Sequence, residues 1–116
     1  MVLVVLVTKR AKINFPKILV KSITSRFSEV VGITQNIQSQ NTNVIIGDRE
    51  KVLFGRDYLI ESYFEPLKYK IHYKAFFQIN HKMTGIIYKR ILGFLSENEV
   101  VIDAYSGIGS ISHETC

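Results

Sequence analysis

At 116 residues, the chain has room for one small domain with a modest core and for little more than the start of a second. Its hydrophobic fraction of 47% and aromatic fraction of 11% are those of a folded chain, which excludes extensive intrinsic disorder. Fifteen Lys and Arg against ten Asp and Glu give a net charge of +5, which favours a polyanionic partner such as nucleic acid.

The single cysteine, Cys116, excludes an internal disulfide and a cysteine-rich metal site, and it is typical of a protein of the reducing cytoplasm. The apolar run at residues 2–7 is too short to span a membrane, and basic residues follow it rather than precede it. It therefore predicts a strand and not a signal peptide, and we expect no membrane partner. The histidines lie far apart in sequence without metal-ligand spacing, so no metal site is predicted.

The first half of the chain predicts an α+β domain built from a strand, a helix and a meander. Residues 2–8 are nearly all apolar or β-branched, as in a central strand. Asn14 is a candidate N-cap for an amphipathic helix of about four turns, whose apolar positions continue to Phe27. Short strands are then predicted at 30–37, 43–46 and 52–54, with the helix lying on one face of their sheet.

A further strand is predicted at residues 67–74, where apolar or aromatic residues alternate with basic ones. The two faces are Leu67, Tyr69, Ile71 and Tyr73 on the buried side, and Lys68, Lys70, His72 and Lys74 on the exposed side. No Asp or Glu occurs between Pro66 and Ser96. Lys68, Lys70 and Lys74 could therefore hold a phosphate backbone, and a solvated edge strand protected by lysines is an equally good interpretation.

A second helix is predicted to begin after Asn80, a candidate N-cap. The residues expected to line one side of it are Met83, Ile87, Ile91, Leu92 and Leu95. Gly85 within the helix costs roughly 1 kcal/mol against alanine, which predicts a close packing contact at this position. The chain then reaches Val100-Val101-Ile102, a β-branched run that is typical of a parallel strand covered on both faces.

That strand leads into a glycine loop at residues 103–110, which reads Asp-Ala-Tyr-Ser-Gly-Ile-Gly-Ser. Open α/β sheets bind cofactors in such loops, because glycine lets backbone N–H groups approach the ligand. The dinucleotide fingerprint needs a third glycine or alanine where this chain has Ser112, which disfavours a nicotinamide- or flavin-dependent redox enzyme. A glycine-rich turn without any ligand is the alternative that the spacing alone leaves open.

Two motifs taken together resemble the RNA 5-methyluridine methyltransferases. They are Ala75-Phe76-Phe77-Gln78-Ile79-Asn80 and residues 101–109, and the resemblance extends upstream through residues 30–36, 41–43 and 55–58. Members of this family use S-adenosylmethionine to methylate C5 of a uridine in ribosomal or transfer RNA. The resemblance implies that Gln78 and Tyr105 contact the cofactor and that Phe76 lies near the target base. The predicted cofactor loop also includes Gly107 and Gly109, whose backbone can approach a ligand closely, and the polar residues Asp103 and Ser110 beside them.

The chain also departs from the family pattern. Ser106 stands where the family usually has cysteine, and the apolar helix that should follow Ile111 is replaced by a polar stretch. In the family a cysteine adds to C6 of the uracil and a glutamate removes the C5 proton. Neither group has a counterpart in these 116 residues, since Cys116 does not lie on the family's cysteine motif. The resemblance therefore implies a fragment without activity of its own.

The resemblance implies two parts of unequal completeness. Residues 1–74 would form the α+β middle domain, with possible RNA contacts, and residues 75–116 would form the start of an α/β Rossmann-like methyltransferase domain. The remainder of the catalytic domain would then be a missing partner of the fragment. The alternative from a different functional class is a non-catalytic, basic α+β module that binds RNA through its lysines.

Overall fold

The computed structural model describes residues 1–62, 68–76, 80–96, 100–107 and 109. The chain divides into two compact units. Unit 1 comprises Met1–Leu59 and His72–Lys74, and unit 2 comprises Ile60–Ile71 and Ala75–Cys116. The elements in chain order are β1 (Val2–Thr8), α1 (Pro16–Thr24), β2 (Val30–Ile37), β3 (Arg49–Gly55), β4 (Tyr58–Glu61), β5 (Tyr69–His72) and α2 (His81–Leu92).

The centre of unit 1 is a three-stranded mixed sheet in the order β1-β2-β3. β2 pairs in parallel with β1 and antiparallel with β3, and Ile33, Thr34 and Asn36 of this strand have no exposed surface. The prediction that β1 is the central strand is therefore wrong. A parallel pair requires a crossover, which α1 provides between β1 and β2. Because β3 then pairs with the free edge of β2, β2 has neighbours on both sides and β1 lies at the edge of the sheet.

α1 is shorter than the sequence predicts, and it ends before Phe27. Pro16 lies in its first turn as predicted, but Asn14 is not the N-cap. Phe15 takes that position with φ 51° and makes no capping hydrogen bond through its side chain. None of the residues of α1 is buried, so the helix covers the sheet only loosely.

The meander after α1 is only partly as predicted. β2 occupies the predicted residues, and β3 is longer than the three residues expected. The strand predicted at 43–46 is wrong, because these residues form bends. The Gln38 side chain orders this loop instead, donating from Nε2 to the Val44 carbonyl at 2.9 Å. β4, which was not predicted, pairs with β5 in a separate two-stranded sheet.

The alternating pattern of β5 is confirmed over the four residues of the strand. Tyr69 and Ile71 are 6% and 7% exposed, while Lys70 between them is exposed. The strand is shorter than the predicted span of 67–74, and Leu67 lies outside the described residues. Alternation therefore predicts correctly which face of the strand is buried.

α2 begins as predicted, and its predicted buried side is correct in part, since Ile91, Leu92 and Leu95 are half-buried. The Asn80 side chain caps the helix, since its Oδ1 accepts from the Met83 N–H at 3.1 Å. Thr84 and Tyr88 are 3% and 7% exposed, whereas Met83 and Ile87 are about half exposed. The predicted packing contact at Gly85 is also wrong, because a Cβ built there meets nothing within 4 Å. Large apolar residues occur on several sides of this helix, so composition alone did not single out one face.

The parallel strand predicted before the glycine loop does not form at residues 100–103. Val100 and Ile102 are 95% and 87% exposed. A parallel strand requires neighbours to satisfy its backbone groups, and the described residues supply none for this segment. Within the described part of the chain, helices are too short and too polar to cross a membrane.

Candidate functional site

The glycine loop predicted to bind the cofactor belongs to unit 2 and has an unusual backbone. Tyr105, Gly107 and Gly109 have positive φ angles of 63°, 59° and 74°. The Gly109 N–H donates to the Ser106 carbonyl at 2.9 Å, which closes a tight turn. Turns with interspersed left-handed residues are typical of loops whose backbone N–H groups converge on an anionic group. The two glycines therefore stand where the turn requires a left-handed backbone.

Tyr105 combines backbone strain with full exposure. A left-handed backbone costs a residue with a Cβ roughly 1–2 kcal/mol, and the ring receives no packing in return because it is 104% exposed. Asp103, two residues earlier, is half-buried and has an interaction partner. An exposed aromatic ring on a strained turn is suited to pack against a ligand.

Several of the predicted site residues cannot be placed beside this loop. Gln78 and Ser110 lie outside the described residues, so the contact between Gln78 and the cofactor stays a prediction. Phe76, predicted near the target base, is 78% exposed. It is therefore not a core residue of the described structure.

The three lysines predicted to hold RNA do not belong to one unit. Lys68 and Lys70 lie in unit 2, and Lys74 lies in unit 1. The Lys74 Nζ lies 2.9 Å from Glu50 Oε2, which compensates its charge. Lys74 is therefore a weaker candidate for a phosphate contact than its position in the sequence predicts.

Glu50 is the centre of a charged cluster in unit 1 that sequence reasoning missed. Tyr73 Oη donates to Glu50 Oε2 at 2.6 Å, and His72 Nε2 lies 3.5 Å from Oε1. The Tyr73 hydrogen bond, followed by that of Lys74, lowers the pKa of Glu50 below its usual value of 4.5. Burial and the Glu50 hydrogen bond raise the pKa of Tyr73, and the same carboxylate raises the pKa of Lys74.

The cluster resembles a metal site in composition but not in bonding. Glu50, Asp57 and His72 each offer a ligand atom, and these atoms lie within 4.8 Å of one another. Tyr73 and Lys74 both bind Glu50 Oε2, so a cation at this oxygen would compete with an ammonium group. The cluster is therefore an ion-pair network that fastens residues 72–74 to β3. No spacing in the sequence signals it, because its members meet only in the folded chain.

A buried amide extends this network into the sheet. Asn36 Nδ2 donates to the Gly47 carbonyl at 2.8 Å and to Tyr73 Oη at 2.9 Å. In return, the Gly47 N–H donates to Asn36 Oδ1 at 2.7 Å. Asn36 thus holds the turn before β3, and its role in this structure is architectural.

The neighbouring amide performs the same task for the loop after β1. Gln35 is 2% exposed, and its Nε2 has acceptors at 2.9 Å on Thr8 Oγ1 and at 3.1 and 3.2 Å on the Arg10 and Ala11 carbonyls. The resemblance to the methyltransferases includes this stretch of β2. Its two buried amides explain why polar residues occupy a central strand.

Unit 1 also contains a groove of about 430 Å³ between α1 and β3. The residues lining it are Pro16, Lys17, Val20, Lys21 and Thr24 from α1, and Lys51, Val52 and Leu53 from β3. Sequence reasoning did not single out this groove, because its two walls are far apart in the chain. The spacing of the lysines on α1 is the one local signal that could have indicated it.

Comparison with known proteins relates the chain to RNA methyltransferases. No protein-family model matches the chain. The chain is 38% identical over 113 residues to an uncharacterized RNA methyltransferase of Bacillus cereus, which is 96% of this chain and 24% of that protein. It is 40% identical over 112 residues to one of Listeria innocua, again 24% of that protein. The chain is similar to one segment of these RNA methyltransferases and spans about a quarter of their length.

A solved structure agrees with the sequence matches. The Pyrococcus abyssi tRNA (uracil-54, C5)-methyltransferase, in complex with S-adenosyl-L-homocysteine, resembles the chain with a TM-score of 0.71 and 25% sequence identity. The similarity covers 97% of this chain and 26% of that one. Both comparisons confirm the family that the sequence motifs indicate, and the small α+β fold matches part of a methyltransferase.

Proposed function

We propose that the chain is a segment of an S-adenosylmethionine-dependent RNA methyltransferase that methylates C5 of a uridine in ribosomal or transfer RNA of the cytoplasm. The observation that carries this proposal is the similarity, over 97% of the chain, to a tRNA (uracil-54, C5)-methyltransferase in complex with S-adenosyl-L-homocysteine. We further propose a middle domain at residues 1–74 and the start of the methyltransferase domain at 75–116. The proposed boundary differs from the compact units, because residues 60–71 belong to unit 2. The proposed boundary and the units agree in separating Lys74 from Ala75.

The cofactor is proposed to bind at the glycine loop, where it would supply the methyl group. The left-handed backbones of Gly107 and Gly109 support this, because they give a ligand close access to backbone N–H groups. The exposed ring of Tyr105 would pack against the cofactor, with Asp103 orienting the loop. Gln78 completes the proposed site on the strength of the family resemblance, and Ser110 does so as a polar residue of the glycine loop.

For the RNA substrate, the proposal involves Phe76 and the three lysines Lys68, Lys70 and Lys74. Enzymes that act on a base must extract it from its neighbours, and the exposed Phe76 ring could stack on an extracted uracil. Lys68 and Lys70, together with a weaker contribution from Lys74, would contact phosphates. The cysteine and glutamate of the family's chemistry have no counterpart in the 116 residues, so we propose that this chain needs the rest of the catalytic domain to act.

A chimaera tests the proposed function directly. The matched segment of the Bacillus cereus relative is replaced by this chain, and the product is incubated with methyl-labelled S-adenosylmethionine and total tRNA or rRNA. Nucleoside analysis should find 5-methyluridine, and Tyr105→Ala in the chimaera should lower its yield. The isolated chain should form none. A folded chimaera that forms no 5-methyluridine, when the unmodified relative does, contradicts the proposal.

A second candidate function is a non-catalytic RNA-binding module, and the charge of unit 1 favours it. Unit 1 contains ten Lys and Arg and only four Asp and Glu. For such a module, RNA binding by the isolated chain should fall steeply with salt and ignore added S-adenosylmethionine. A chimaera that retains methyl transfer decides against this candidate.

A further inference from the structure

The net positive charge of the chain lies in unit 1. This unit carries ten Lys and Arg against four Asp and Glu, while unit 2 carries five against six. Two of the four acids of unit 1 belong to the cluster around Lys74 and His72. A polyanion should therefore be attracted to a surface of unit 1 away from that cluster.

The groove between α1 and β3 concentrates this charge. Lys17 and Lys21 are four residues apart on α1, so their Cβ atoms lie about 5–6 Å apart on one face of the helix. Lys51 on β3 faces them from the other wall. Within the described part of the chain, none of the three has a carboxylate within 4.0 Å, so their charge is not compensated by an ion pair.

The floor of the groove is suited to a partner that also has an apolar part. Val20 and Thr24 from α1 are half-buried, and Val52 from β3 is 44% exposed. The register of β2 and β3 shifts so that Leu53 is the unpaired extra residue of a β-bulge. Bulges re-aim side chains and locally end strand pairing, and this one lies in the wall of the groove.

We propose that the α1–β3 groove binds the phosphate backbone of the RNA substrate, with Lys17, Lys21 and Lys51 as the phosphate contacts. The inference rests on the proposed function for its choice of RNA. Three uncompensated ammonium groups above a partly apolar floor match a strand that offers phosphates and sugars. An acidic peptide would satisfy the charge as well, but the relatives of this chain are named as enzymes of RNA.

The test measures binding of the 116-residue chain to a fluorescein-labelled 12-nucleotide single-stranded RNA of mixed sequence, by fluorescence anisotropy over a series of salt concentrations. Each phosphate contact contributes roughly 0.7 to the slope of log K against log salt for single strands. The triple variant Lys17→Ala/Lys21→Ala/Lys51→Ala should therefore lower the slope by about 2, and the affinity at 0.1 M salt by roughly 100-fold. The corresponding triple arginine variant should retain both.

The matched control removes the same charge from unit 2, as Lys82→Ala/Lys89→Ala/Arg90→Ala. This control should change the slope by far less than the groove variant. Equal losses in both variants would mean that net charge alone attracts RNA, and would overturn the proposal. Equal competition by an oligoglutamate peptide would also overturn it, in favour of an acidic protein partner.

Folding and function can be separated in this experiment. No residue of α1 is buried, so circular dichroism should show an intact fold for the triple alanine variant. If that variant misfolds, Lys17→Ala and Lys21→Ala alone should each lower the slope of log K against log salt by about 0.7. RNA binding in the groove without 5-methyluridine formation by the chimaera would contradict only the proposed function. Methylation by the chimaera with no effect of the groove variant on RNA binding would contradict only the groove.

Discussion

Replacing Asn36 with alanine should remove the main polar anchor of unit 1. The side chain is fully buried and makes three hydrogen bonds, two with the Gly47 backbone and one with Tyr73. Gly47 is itself buried, so water cannot readily replace the lost partners of its N–H and C=O groups. Tyr73 keeps its hydrogen bond to Glu50 and should lose less.

The magnitude follows from the groups that the substitution leaves unsatisfied. Each buried polar group without a partner costs about 1–3 kcal/mol, so two backbone groups predict a loss of about 2–6 kcal/mol in the free energy of unfolding. Whole domains have only about 5–15 kcal/mol of stability, and a unit of this size should lie at the low end. Asn36→Ala should therefore leave unit 1 barely folded, and Tyr73→Phe should cost about 1 kcal/mol.

Urea unfolding followed by circular dichroism measures the loss, and hydrogen exchange of the β2 amides assigns it to unit 1. Asn43→Ala is the matched control, because this asparagine is exposed in the loop before β3 and has no side-chain hydrogen bond within the described part of the chain. The control should stay within about 0.5 kcal/mol of the original chain. If Asn36→Ala unfolds within about 1 kcal/mol of the control, the amide is not an anchor and the reasoning fails.

Four other predictions follow from the described contacts. Glu50→Gln should destabilise the chain at pH 7 but not well below pH 4.5, because the Glu50 carboxylate, whose pKa is lowered in the fold, stabilises the fold only while it is ionised. Thermal unfolding of both proteins across this pH range should show the difference vanish as the pH falls, and a constant difference contradicts this. Gly85→Ala should raise the free energy of unfolding by about 0.5–1 kcal/mol, since its Cβ meets nothing within 4 Å, and any loss in urea unfolding contradicts this. Gly32→Ala should lower the free energy of unfolding by about 3 kcal/mol or more, because the added Cβ would lie 1.7 Å from the Arg56 carbonyl oxygen. Near-normal stability in urea unfolding would refute that contact. Gly107→Ala in the chimaera should weaken S-adenosyl-L-homocysteine binding roughly five- to thirtyfold through the cost of φ 59°, as calorimetric titration would detect. Unchanged affinity would remove the loop from the proposed site.

The features that sequence predicts correctly are those with local causes. Pro16 fits the first turn of a helix because its fixed φ and missing N–H are harmless there. Asn80 caps α2 through a bond to a residue three positions later. The alternation around Lys70 fixes the buried face of β5, since strand side chains point alternately to opposite faces.

The features that sequence predicts wrongly depend on distant neighbours. Whether β1 is central or at an edge is decided by pairing with β2 and β3, and its own apolar residues fit both positions. The face that α2 buries depends on what covers Thr84 and Tyr88, not on the helix alone. The family motif located the glycine loop, but the Glu50 cluster and the α1–β3 groove join residues from separate parts of the chain, so neither leaves a recognisable spacing.

Exposed apolar side chains do not distinguish the two units. Phe15 and Ile45 of unit 1 are 74% and 76% exposed, and Phe94 and Val100 of unit 2 are 74% and 95% exposed. Large exposed apolar patches are characteristic of regions that pack against other protein, but both units expose such side chains to a similar extent. The proposal that the second part of the chain belongs to a methyltransferase domain therefore rests on the family resemblance and on the left-handed backbone of the glycine loop, not on apolar exposure.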